Sequence, residues 1–410
     1  VNEVVVTGLG VLAPNGLGVE EYWEATLKGR SGIGELTRFD PASYPARLAG
    51  EVTGFVPAER LPGRLLPQTD HMTRMALVAA EWALADAGVR PGDFGEFDMG
   101  VITASASGGF EFGQRELEKL WSKGSEYVSA YQSFAWFYAV NTGQISIRNG
   151  MRGPGGVVVS DQAGGLDALA HARRQLRKGI RLVVSGGIDS ALCPWGWVAQ
   201  LANGKISRAT DPATGYLPFG SGANGYLPGE GGAILILERG DARPDHPGYG
   251  EIAGYGATFD PAPGSGGEPG LRRAIEQALR DADADPGEVD VVFADASGVA
   301  EQDKIEADAI AEVFGPHGVP VTAPKTMTGR LYSGAAPLDV AAALLSVRDS
   351  VIPPTVHTLS PDPAYRMDLV TDARPVAVRT ALVIARGHGG FNSALLVRGP
   401  NRRKQEGPRR

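Results

Sequence analysis

The sequence predicts an α/β protein in which mixed sheets are covered by helices, built as two similar halves. Three observations carry this. Short runs rich in valine, isoleucine and small residues alternate with longer runs of helical character along the 410 residues, the pattern of βαβ units. The 57 glycines gather at the junctions between those runs, where tight turns and close backbone approach are needed. Each half also closes with a pair of strands, which puts the join near residue 250, although the identity between the halves is faint.

Taken in order, residues 4–7 read as a strand ending in Gly8-Leu9-Gly10. Helices are expected over 19–28 and 73–87, the second stopping at Gly88, a residue suited to a helix C-terminus. Strands are expected over 99–104, 156–160 and 182–186, with a helix over 166–178 after a turn at Gln162. Turns and loop fill 219–232 before a strand over 233–237. The stretch 257–270, rich in proline and glycine, reads as an ordered loop or insertion. Alternation then resumes: helix 271–283, strand 289–294, helix 304–314, strand 319–322, helix 335–347 and closing strands near 377–385 and 392–397. The resulting divisions are 1–250, 251–400 and a basic tail over 401–410 that includes Arg402, Arg403 and Lys404.

Composition removes several function classes. Hydrophobic residues at 43% and charged residues at 21% suit a folded domain, and a formal charge of −8 argues against a nucleic-acid surface. No apolar run reaches the roughly 18 residues of a membrane span. The start, Val1-Asn2-Glu3-Val4, enters a strand without a basic-then-apolar leader. A single cysteine excludes an intrachain disulfide and a zinc–thiolate cluster, and fits a reducing cytoplasm. His71, His171, His246, His317, His357 and His388 do not recur at metal-ligand spacing, so neither a metal nor a cofactor is expected.

The chemistry-bearing candidates begin at Val157-Val158-Val159-Ser160-Asp161-Gln162-Ala163-Gly164-Gly165, a strand, a sharp turn and a helix start. In acyl-transfer enzymes such an elbow presents a nucleophile to free helix amides. Gln162 at its tip is not a nucleophile. It is either a disarmed catalytic position or a polar residue in an ordinary turn. Lys325, in Pro324-Lys325-Thr326-Met327-Thr328-Gly329-Arg330, either supports a reacting carboxylate or forms a structural ion pair. Asp295 follows a strand end, where open α/β sheets place functional groups, but serves equally as a turn former. Cys193, followed by Pro194 and Trp195, reads as a buried inert thiol. His388 stands in Gly387-His388-Gly389-Gly390, a loop of the kind that aims backbone amides at a ligand. Two aromatic groups, Phe110, Phe112, Leu117 and Trp121, then Tyr131, Phe134, Trp136, Phe137 and Tyr138, suit core or interface packing, or the wall of an apolar tunnel.

From Val4-Val5-Val6-Thr7-Gly8-Leu9-Gly10, through Gly229-Glu230-Gly231-Gly232 and the Lys325 segment, to the His388 loop, this ordered set resembles the thiolase-like β-ketoacyl synthases. It is most similar to their non-condensing subunit in bacterial type II polyketide synthases, the chain length factor. The run Ser160-Asp161-Gln162-Ala163-Gly164-Gly165 favours the aromatic over the reducing type. The resemblance implies a layered αβαβα fold of two pseudo-duplicated halves. It implies that Gln162 replaces the nucleophilic cysteine, that Asp295 and Arg330 replace two histidines, and that Lys325 is retained. His388 then takes the position whose backbone amide contributes to an oxyanion hole, and that donor is expected to survive. Asp295 and Arg330 are expected to pair and hold the old pocket together.

The same resemblance implies a heterodimer with a catalytic ketosynthase, fed by an acyl carrier protein. Phe110, Phe112, Leu117 and Trp121 are then tunnel candidates that limit chain length. Tyr131, Phe134, Trp136, Phe137 and Tyr138 fall on the pairing face, expected over 131–148. A secondary role for Gln162 in decarboxylating a malonyl thioester is implied as well. The rivals are a plain stabilising scaffold and a standalone condensing enzyme, which would need an unseen nucleophile.

Overall fold

A computed structural model describes residues 3–243, 248–262, 264–358 and 360–400; the expected basic tail and His246 lie outside them. Alternation within the strands decides the architecture. In the strand Gly231–Arg239, Ala233, Leu235 and Leu237 enter one core while Ile234 and Ile236 enter another. In Thr380–Arg386, Ala381, Val383 and Ala385 join that first core, whereas Leu382 and Ile384 face a third. Each strand layer is therefore apolar on both faces, which requires helices on both sides.

Twelve strands form one sheet, and two short two-stranded sheets, Ile33–Glu35 with Leu48–Gly50 and Val351–Ile352 with Arg374–Pro375, stand apart from it. The first part of the large sheet runs Gly155–Val158, Met99–Ala104, Leu182–Asp189, Gly231–Arg239, Val4–Ala13; its second runs Pro320–Thr322, Val291–Phe293, Thr380–Arg386, Phe391–Arg398, Gly250–Phe259. Counted along the chain, both have the order third, second, fourth, fifth, first, with the same parallel and antiparallel pairings. Among the described residues the two parts join where Val5 and Val6 pair with Glu251 and Gly250. Two helices, Gly164–Arg177 and Ala335–Asp349, share the central core with both parts. Residues 335–346 are buried without a break, as a helix enclosed on all sides must be. His71–Asp86 covers one outer face, and Leu271–Asp281 with Ala300–Phe314 the other. This is the five-layer αβαβα fold.

Two expectations are corrected by the same physical cause. The first strand does not end at Gly8 but runs Val4–Ala13, and residues 257–259 belong to the strand Gly250–Phe259 rather than a loop. A Cβ on Gly8 or Gly10 would lie 2.2 Å from the Ala83 carbonyl oxygen or 1.9 Å from that of Ala79. On Gly254 and Gly256 it would lie 2.1 Å from the carbonyl oxygens of Ala278 and Ala274. In each half alternate glycines let a helix lie directly on the strand, so they mark helix packing and not a turn. No helix among the described residues is long and apolar enough to cross a membrane.

Candidate functional site

The strand Gly155–Val158 leads into a single turn, Asp161–Ala163, and then the helix Gly164–Arg177. Asp161 sits at φ 52°, a left-handed conformation that costs energy in a non-glycine residue and makes the elbow sharp. Gly165 is obligatory at the helix start, since a Cβ there would lie 2.2 Å from Pro337 Cδ. Gln162 is buried, and its amide has no hydrogen-bond partner among the described residues. It lines a polar cavity of about 350 Å³ shared with Asp161, Lys205, Tyr226, Arg330, Arg386 and His388.

The cavity is closed by charge. Arg330 donates to both carboxylate oxygens of Asp295, at 3.0 and 3.1 Å, and to the Asp295 carbonyl at 2.9 Å. The Arg386 amide donates to the same carboxylate at 2.9 Å. Burial alone would raise the Asp295 pKa, but Arg330 first and Lys325 next outweigh it and hold the carboxyl below its ordinary value. Burial would likewise lower Arg330, yet Asp295 holds it charged, so it cannot serve as a base. Beneath them the amides of Asp295 and Ala296 donate to Glu306 at 2.6 and 2.8 Å. Desolvation first, and Asp295 second, push the Glu306 carboxyl up to about 7.

Lys325 does not face this cavity. Its ammonium lies 2.6 Å from Asp339 on the central helix and also donates to the Ala294 carbonyl, so it forms a buried structural ion pair. The His388 amide is present, as expected, but already donates to Asp161 Oδ2 at 2.7 Å. An internal carboxylate thus occupies the acceptor position that an oxyanion would need. Cys193 is buried, and desolvation pushes its thiol up to about 11. The elbow tip carries no nucleophile, the His388 amide is engaged by Asp161 and Arg330 is held charged by Asp295, so none of these three positions supports condensation.

The aromatic residues divide by face. The helix Phe110–Lys123 carries Phe110, Gly113, Leu117 and Trp121 at spacings of three and four, on one side. Leu117 and Trp121 are exposed, the latter at 83%. Phe112 lies two residues from Phe110, and its side chain is buried on the inner side, so it does not share the outward face. The Phe110 ring packs 4.6 Å from Trp195, and a Cβ on Gly113 would just reach that indole at 3.4 Å. Trp136 and Phe137 stand beside them, exposed at 45% and 49%, and Tyr131 is exposed too. Phe134 is half-buried against the outer core, and Tyr138 is half-buried in contact with Phe137. Sequence reasoning missed Trp195, which it grouped with the buried Cys193. The signal available was position: Pro194 opens a helix, and Trp195 is its second residue.

Residues 1–242 match the family described as beta-ketoacyl synthase, N-terminal domain, and residues 249–359 match its C-terminal domain. The chain is 62% identical over 400 residues to the tetracenomycin polyketide synthase ketoacyl synthase beta subunit of Streptomyces glaucescens, covering 96% of this chain and 98% of that protein. Among solved structures it is similar to the ishigamide ketosynthase/chain length factor, with a TM-score of 0.89 and 27% identity over 98% of this chain and all of the other (100%). It is also similar to one chain of a complex of a type II polyketide synthase acyl-carrier protein with its ketosynthase bound to the hexaketide: TM-score 0.86, 27% identity, covering 97% of this chain and 99% of that chain. The elbow, the five layers and these matches agree, and the chain belongs to the β-ketoacyl synthase family.

Proposed function

We propose that this chain is the non-condensing subunit of a ketosynthase heterodimer in a bacterial type II aromatic polyketide synthase, where it controls the length of the poly-β-ketone. Its partner is a catalytic ketosynthase, which supplies the nucleophile and histidines that this chain lacks, and malonyl units arrive on an acyl carrier protein. The observation that carries the reading is the contrast within one fold: an elbow without a nucleophile, and an exposed aromatic face on the Phe110 helix and its neighbours. The names of the Streptomyces glaucescens relative and the two structures support the pairing and the carrier protein.

Phe110, Trp195 and Leu117 form the wall that meets the growing chain, and Gly113 lets Trp195 and Trp136 lie close against the helix, so that a larger side chain there would push them outward. Tyr131, Trp136 and Phe137 belong to the pairing face, together with the sheet-edge strand Gly155–Val158, which has a free side in this chain. A large apolar surface of this kind suits an obligate partner. Phe112, from inside, supports the wall rather than lining it. The reducing cytoplasm suits such a complex and leaves Cys193 a thiol. A priming role for Gln162 draws less support, because its amide is free but the adjacent His388 donor is spent on Asp161.

The test is product mass. The chain alone, given malonyl-loaded carrier protein, is expected to yield no polyketide. With the catalytic partner, Phe110→Ala should lengthen the products and Gly113→Leu should shorten them. Unchanged lengths in both variants, from intact heterodimers, would reduce this chain to a stabilising scaffold.

A further inference from the structure

The Phe110–Trp195 contact joins two helices that begin without caps of their own. Neither Gly109, before Phe110–Lys123, nor Cys193, before Pro194–Ala202, supplies a side-chain cap. Free amides at a helix start need acceptors. Here they are found on neighbouring helices. The Trp195 amide donates to Gln114 Oε1 at 2.8 Å, and Gln114 lies on the Phe110 helix, its own Nε2 donating to Glu118 at 2.7 Å. The Phe112 amide donates to Asp70 Oδ2 at 2.7 Å, while the other oxygen of Asp70 caps the helix His71–Asp86 through Met72. Asp70 is fully buried and fixes the Phe110 helix to the frame; Gln114 fixes the Trp195 helix to the Phe110 helix. Arg38 adds a pair to Glu111 at the same helix start.

We infer that Gln114 and Asp70 are positioning residues for chain length: by capping the two helices they set how Phe110 packs against Trp195. This rests on the reading of that face as the length-limiting wall. The chemistry is register, not contact. A helix start that loses its acceptor frays, the ring it carries gains freedom, and the length cut-off blurs without any change in the wall itself.

Gln114 is the useful test because it is only half-buried and its loss does not threaten the core. The full chain, paired with its catalytic ketosynthase and given malonyl-loaded carrier protein, would be compared as wild type, Gln114→Ala, Gln114→Glu, Phe110→Ala and Trp195→Ala. The readout is the distribution of polyketide lengths, with heterodimer yield from native mass spectra. Gln114→Ala should raise the share of off-length products about fivefold, the factor that ~1 kcal/mol, one net hydrogen bond, produces. Gln114→Glu keeps an acceptor oxygen and should restore the wild-type distribution. An unchanged distribution in Gln114→Ala, beside a shift in Phe110→Ala or Trp195→Ala, overturns the inference and leaves the wall intact. Unchanged lengths in the ring variants as well would overturn both.

Discussion

The cavity around Gln162 and the outward face of the Phe110 helix lie in one fold but have been finished in opposite ways. In the cavity the groups at the old catalytic positions have internal partners, Arg330 with Asp295 and the His388 amide with Asp161, and just outside it Lys325 is paired with Asp339. On the aromatic face, Trp121, Trp136, Phe137 and Trp195 are left exposed. The contrast teaches where function has gone. A site that satisfies itself has little left for a substrate, whereas an apolar surface left open in a well-packed protein calls for a covering partner.

The largest effect should come from opening the closed region. Arg330→Met leaves the buried Asp295 carboxylate without its counter-charge and is expected to cost ~3–5 kcal/mol of stability. The double variant Asp295→Leu/Arg330→Met removes both charges and should recover most of that loss. Chemical denaturation of the single and double variants measures both, and a single variant as stable as wild type would deny the pair its structural role.

A second charge network lies under the aromatic face and should respond to acid. Glu230 is buried, accepts from Ser190 at 2.6 Å and Val52 at 3.1 Å, and faces His71 at 3.6 Å and Arg38 at 3.8 Å. Burial alone would raise its pKa; His71 and then Arg38 override that and bring it from 4.5 to about 2. A depressed carboxyl stabilises the fold above its unfolded pKa and loses that contribution as pH falls through the folded value. Stability should therefore fall from pH 4.5 toward about 2, by roughly 3 kcal/mol from this group. In Glu230→Gln that part of the acid dependence should disappear, which unfolding curves across this range would reveal.

The frame common to both regions sets a smaller effect. Gly254→Ala would drive a methyl onto the Ala278 carbonyl and should cost ~1–3 kcal/mol, with Gly8→Ala matching it in the other half. Thermal unfolding of the two variants tests whether the duplicated glycines do the same work. Unequal losses would show that the halves differ in how freely strand and helix can separate.

Much of this was legible in the sequence, and the reasons for the exceptions are specific. Gln162 stands out because a non-nucleophile at the tip of an elbow is a chemical statement in itself, whereas Asp295 and Arg330 are placed in the pocket only by the family resemblance. The strand Gly250–Phe259 was hidden because its alternate glycines carry no apolar signal, although Gly8 and Gly10 show the same device. Phe112 is grouped with Phe110 because the resemblance places the whole segment at the tunnel, when positions two apart on a helix face different ways. The bond between Asp161 and His388 joins residues 227 apart, and neither residue type announces it. Trp195 was passed over because its neighbour Cys193 is buried; exposure changes within two residues at a helix start.

One assay sets the two regions directly against each other. Heterodimers carrying Gln162→Ala or Trp195→Ala would be given malonyl-loaded carrier protein, and the polyketides weighed by mass spectrometry. Wild-type lengths are expected from Gln162→Ala and longer chains from Trp195→Ala. Altered lengths from Gln162→Ala with none from Trp195→Ala would contradict this, and would return control of the product to the cavity.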